Sequence, residues 1–153
     1  MIGDRYRRVR ERASRAAVRA GRRPEEVTVV VAAKAFAAEA VLEAIRAGAR
    51  DIGENYVQEA HRKRERLRSL DADGGVRWHM IGRLQRNKAK HAIGFFEIIH
   101  SLDGEPLART LDRAAASAGI RASCLIEVNL GNESTKAGVA ADRVVELFEE
   151  VAS

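Results

Sequence analysis

Residues 27–33 read VTVVVAA, and Lys34 follows them directly. A continuous β-branched run without polar alternation is the pattern of a strand buried on both faces, as in the middle of a parallel sheet. The run ends at a lysine, where the chain leaves the sheet. Before it, Tyr6, Val9, Ala13, Ala16, Ala17 and Ala20 recur at helical spacing among arginines, and Gly21 with Pro24 stops that helix. After it, residues 37–47 place Val41, Leu42 and Ile45 on one helical face, and Gly48 stands where a C-terminal cap is needed.

The same strand-then-helix unit then repeats. ARDIGEN (49–55) leads into a helix over 56–69, and VRWHMIG (76–82) into a short helix over 86–92. FFEIIHSL (95–102) precedes a helix over 105–118 that Gly119 stops, and RASCLIEVN (121–129) precedes a helix over 141–151. Five such units after one leading helix predict right-handed crossovers and a parallel sheet. Doubly wound sheets and (β/α)8 barrels share that rhythm. A dinucleotide fold carries a glycine-rich turn after its first strand, whereas KAFAAEA at that place contains no glycine. A barrel instead gathers functional residues at the C-terminal ends of several strands. The polar ends here are Lys34, Asn55, the His79 region, Ser101 and Asn129, so the pattern favours a barrel.

The 153 residues suit one globular domain with a real core. No stretch is long and apolar enough to span a bilayer, and the basic residues of MIGDRYRRVRER have no apolar region behind them. The single cysteine, Cys124, sits in the apolar run CLIEV, which reads as an intracellular, cytoplasmic protein without disulfides. The net charge of +5 comes from arginines interleaved with acids. The densest basic segments, 5–23 and 62–68, lack the series of aromatics on which bases stack, which argues against a specific nucleic-acid partner.

Lysines are few: Lys34, Lys63, Lys88, Lys90 and Lys136. Lys34 stands out because burial at a strand end disfavours the ammonium form and leaves the neutral amine that attacks an aldehyde. It equally fits a lysine that reaches along apolar surface to water or pairs with a carboxylate. Position alone leaves both readings open.

Several segments match one family in order and spacing. They are VVVAAKAF around Lys34, DIGENYVQEA at 51–60, RWHMIGRLQRNKAK at 77–90, HSLD at 100–103 and EVNLGNESTKAG at 127–138. On these the chain resembles the pyridoxal phosphate homeostasis proteins, called YggS or PROSC type. The resemblance implies a (β/α) barrel of the alanine racemase N-terminal-domain type. It implies that Lys34 holds pyridoxal 5′-phosphate as a Schiff base, with Asn55 lining the same pocket. By the same route His79 and Ile81 would flank the pyridine ring, and Asn129 and Lys136 would lie at the mouth of the fifth strand, where a second amine could hand the aldehyde on. Each has a plainer role. Asn55 could cap the helix that follows, His79 could be a core histidine bonded to backbone, and Lys136 could be an exposed loop lysine.

Two departures from the family pattern stand out. Ala33 occupies a place where the family usually has serine. More importantly, five units stand where a closed barrel has eight, so the chain reads as a C-terminally truncated barrel. The absent units are those that commonly supply the phosphate site. The bare edges of the strands over 27–33 and 122–128 would then favour self-association. The leading expectation is a noncatalytic cofactor carrier with apoenzymes as recipients. A pyridoxal-phosphate enzyme of the alanine racemase type and a non-binding remnant or assembly module are the alternatives.

Overall fold

A computed structural model of the protein describes residues 1–131 and 137–152. The chain opens with helix α1 (Ile2–Arg19) and a single 3-10 turn at Pro24–Glu26. Strands β1 (Val30–Ala32), β2 (Asp51–Glu54), β3 (Arg77–Met80), β4 (Ile98–Leu102) and β5 (Cys124–Ile126) then alternate with helices α2 (Ala38–Arg46), α3 (Val57–Arg68), α4 (Ala89–Ala92), α5 (Glu105–Ala118) and α6 (Val144–Ala152).

The five strands form one sheet in the order β1-β2-β3-β4-β5. Each strand therefore lies beside its neighbour in sequence, as successive staves of a barrel do. A doubly wound sheet would turn back at an interior strand instead. The pairs β1–β2, β3–β4 and β4–β5 run parallel: Val30 lies opposite Asp51, His79 opposite Ile98, and Ile99 opposite Cys124, with a register shift before Leu102 meets Ile126. This is the barrel-type α/β architecture that the repeats predict.

The chain divides into two compact units, one made of Met1–Gly53 with Ala60–Arg77, the other of Glu54–Glu59 with Trp78–Ser153. In the first, α1 packs on α2 so closely that a Cβ on Gly3 would lie 3.2 Å from the Ala47 methyl. Val41, Leu42, Ala44 and Ile45 of α2 are buried together with Ile52 and Leu67. Arg77 grips Asp51 with two hydrogen bonds of 2.7 Å, the bidentate geometry that makes such pairs strong. In the second unit Trp78, Met80, Ile99 and Leu102 are buried with Leu107, Leu111 and Ala115 on the inner face of α5. Phe95 meets the Trp78 ring at 5.8 Å and the Phe96 ring at 4.8 Å.

One expectation about burial is corrected. VTVVVAA is not buried on both faces: only its last part forms β1, where Val30 and Val31 are half-buried and Ala32 is exposed. The reason is position, since among the described residues β1 lies at the edge of the sheet and pairs with β2 alone. The strand buried throughout is β2, whose sequence DIGE is half acidic. The two short helices also differ from expectation. A 3-10 turn at Arg86–Lys88 precedes α4, and another at Ala141–Arg143 precedes α6. A feature absent from the sequence reading is a small parallel pair, β6 (Val128–Asn129) with β7 (Val139–Ala140). It depends on Gly138 at φ +110°, where a Cβ would come within 2.9 Å of the Asn129 nitrogen. Among the described residues no helix is long and apolar enough to cross a membrane.

Candidate functional site

In the first unit the informative place is the exit of β1. Ala33 is buried, and its N–H continues the ladder to Gly53 O at 2.8 Å. Its carbonyl accepts from the Phe36 amide at 3.1 Å and from Lys63 Nζ at 2.8 Å. Lys34 then projects from a turn in which Ala35 adopts φ +64°. A non-glycine residue there costs of order 1–2 kcal/mol and persists only when its surroundings fix it. Lys34 is exposed, so the expectation of a desolvated ammonium is corrected: the edge position of β1 leaves its end open to water.

In the second unit Asn55 directly follows β2 and is half-buried. The helix after it begins at Val57, so Tyr56 rather than Asn55 holds the position directly before the first helical residue. Gly82 presses against Asn55: a Cβ on that glycine would fall 2.6 Å from both Cα and O of Asn55. Ile81 follows β3, and its amide donates to Glu54 O at 2.9 Å. Glu54 itself is fully buried.

His79 is 2% exposed, as a core histidine should be, and it meets a side chain across the sheet. His79 Nδ1 lies 3.0 Å from His100 Nε2. Because His79 stands opposite Ile98, two-residue alternation along β4 brings His100 to the same face. Ser101 lies on the other face, buried, with no hydrogen-bond partner for its hydroxyl among the described residues. Asn129 is half-buried in the β6–β7 pair. Lys136 lies outside the described residues.

His100 was not among the sequence candidates, although HSLD was visible. Its signal was the alternation, usable only once the register with β3 was known. Burial, and then the neighbouring His79, hold His100 below its ordinary value of 6.5. The sign follows: the unfolded chain takes up this proton near 6.5 while the folded chain resists it. Stability is therefore complete above 6.5 and declines as the pH falls from there toward the lowered folded value. Melting temperatures measured from about pH 7.5 to about pH 5 are expected to fall less steeply for His100→Gln than for wild type, since glutamine keeps a polar partner for His79 without titrating. Parallel curves would refute this.

Other parts of the molecule are less suited to chemistry. Burial pushes the half-buried Cys124 thiol above its ordinary value, which keeps it protonated and unreactive. Among the described residues no group of three His, Cys, Asp or Glu side chains could hold a metal ion. A cleft of about 280 Å3 in the first unit lies at the N-terminal end of β1, between Tyr6, Arg10, Arg50 and the Asp51–Arg77 pair, and none of the sequence candidates lines it.

Sequentially ordered staves and a lysine presented just beyond the first of them define a class. The chain belongs to the alanine racemase N-terminal domain family, whose model matches residues 5–153. Relatives of this chain carry the name pyridoxal phosphate homeostasis protein. That of Aquifex aeolicus is 42% identical over 146 residues, covering 95% of this chain and 62% of its own length. PipY of Synechococcus elongatus, solved with pyridoxal phosphate bound, is 34% identical with a TM-score of 0.71, over 98% of this chain and 64% of PipY. An unknown protein from Bifidobacterium adolescentis superposes with a TM-score of 0.88 at 31% identity, over 99% of this chain and 64% of its own. The chain thus spans somewhat less than two thirds of the length of these relatives.

Proposed function

We propose that this chain binds pyridoxal 5′-phosphate through Lys34 and serves cofactor homeostasis in the cytoplasm without catalytic turnover. The observation that carries the reading is the exit of β1, where an accessible primary amine stands on a turn fixed at its base. Such an amine condenses with an aldehyde, forming a carbon–nitrogen double bond and releasing one water. That fits the aldehyde of the cofactor, and PipY, a relative of the same fold, was solved with that cofactor bound. When bound, the cofactor supplies an electrophilic aldehyde and an anionic phosphate.

The family pattern, rather than any measured distance, assigns further cofactor contacts to Asn55, His79, Ile81, Asn129 and Lys136. Asn55 and Ile81 are held by main-chain packing, and His79 is oriented by His100. Reactive groups held in this way need little reorganisation on binding. Recipients would be apoenzymes that take the aldehyde by exchange onto their own lysines. Edge strand β5 and helix α6 leave Leu125, Val145, Phe148 and Val151 exposed, which favours association with further protein, a second copy included.

The test is chemical. Protein mixed with pyridoxal phosphate and reduced with borohydride is expected to carry the label on Lys34 in preference to Lys63, Lys88 and Lys90. Lys34→Ala is expected to lose that label entirely. Equal labelling of wild type and Lys34→Ala would defeat the proposal, and turnover of an amino acid by the loaded protein would defeat its noncatalytic part.

A further inference from the structure

Lys63 sits on α3, thirty residues from the turn it touches, and is half-buried. A lysine so placed has water within reach of its flexible stem, and ordering that stem costs side-chain entropy. Its ammonium nevertheless donates to the carbonyl of Ala33 at 2.8 Å. That carbonyl is also the acceptor for the Phe36 amide, the hydrogen bond that closes the turn around Lys34 and Ala35. The two donors hold the carbonyl of Ala33 while the ladder bond from its amide to Gly53 O holds the other side, so the residue is fixed through both of its flanking peptides. The next residue is the exposed lysine, and the one after it is held at φ +64°.

We propose that Lys63 is a positioning residue for Lys34: its charged hydrogen bond to the Ala33 carbonyl holds the left-handed turn that presents the Lys34 amine. The chemistry of the contact suits this task. A hydrogen bond from a cation is about twice as strong as one between neutral groups, and a carbonyl polarised by it remains a good acceptor for the amide of the turn. Alanine at position 35 supplies none of the conformational freedom that glycine would, so the geometry has to come from the contacts around it. Lys63 supplies a contact that local sequence cannot.

The part of this inference that concerns labelling rests on the proposed attachment at Lys34, whereas the part that concerns the turn does not. The experiment therefore has two readouts on the full chain. The first is hydrogen exchange of the Phe36 amide in protein without cofactor. In Lys63→Met, which keeps the stem and removes the donor, exchange is expected to rise about tenfold, and Lys63→Arg, which can still donate to the carbonyl, is expected to restore most of the protection. The second is the ratio of borohydride-fixed pyridoxal phosphate on Lys34 to that on Lys88 and Lys90 of the same molecules, a ratio that general loss of stability does not move. It is expected to fall about threefold or more in Lys63→Met and to recover in Lys63→Arg. Phe36 exchange unchanged in Lys63→Met overturns the proposal. So does a changed exchange with an unchanged labelling ratio, since Lys63 would then brace the turn without positioning the amine. If wild-type protein shows no preference for Lys34, the attachment reading fails, and with it the positioning role, while Phe36 exchange still decides whether Lys63 holds the turn.

Discussion

Replacing Gly82 by alanine is expected to destabilise the protein by about 3 kcal/mol and to push Asn55 out of place. The cause is steric and backbone-based. An added Cβ would lie 2.6 Å from Asn55 Cα, 2.6 Å from its carbonyl oxygen and 2.8 Å from its Cβ. No rotamer relieves such a contact, because the methyl has none and two of the three atoms it meets are main chain. The segment after β2 would have to withdraw, and the amides of Ile81 and Gly82, which both donate to Glu54 O, would be strained with it. Gly74→Ala is the control, because a Cβ there meets nothing within 4 Å. It is expected to change stability by less than about 1 kcal/mol. Urea unfolding of the two variants decides the matter. Indistinguishable midpoints would mean that the close approach is not a constraint.

Gly82 also shows where the sequence was legible and where it was not. IGRLQ announced a strand end, but nothing local says that its glycine must touch Asn55, because that proximity belongs to the pairing of elements. Helix α5 was readable to the residue. Leu107, Leu111 and Ala115 recur at helical spacing, and Gly119 takes the left-handed conformation at φ +67° that a C-terminal cap requires. The strands were readable in place and order, yet the first three were drawn too long at both ends, while β4 was drawn too long only at its start and ends at Leu102 as read. Ladder length depends on what the neighbour offers, and β1 pairs over only three residues.

Burial was the least legible property. VTVVVAA has the composition of a central strand and lies at an edge, while DIGE has the composition of a surface and is buried. The sequence carries hydrophobicity, but the order of strands decides how much of each is covered, and Arg77 makes the burial of Asp51 tolerable by pairing with it. The site shows the same division. Lys34 was found because a charged residue ends an apolar run. His100 and Lys63 were missed because the contacts that matter, to His79 and to Ala33, join residues 21 and 30 positions apart.

Trp78→Ala is expected to cost about 3–5 kcal/mol, a large share of the roughly 5–15 kcal/mol that a domain of this kind has in total. Trp78 is 1% exposed and heads the fully buried side chains by volume. It stands on β3, and its carbonyl receives the Glu97 amide at 2.7 Å, just before β4 begins. Its ring is tilted at 47° to that of Phe95, which in turn meets Phe96 edge-on, so the indole anchors a run of aromatics. Removing it leaves a cavity bounded by sheet and ring neighbours that cannot collapse freely. Trp78→Phe keeps a ring against Phe95 and gives up only volume, so its loss should be clearly smaller. Because the chain contains a single tryptophan, its fluorescence in wild type reports on this one place, and the variants are compared by far-ultraviolet circular dichroism instead. A Trp78→Ala midpoint within about 1 kcal/mol of wild type would show that the second unit does not depend on this residue. A ranking with alanine far below phenylalanine would locate its packing at the same strand that carries His79.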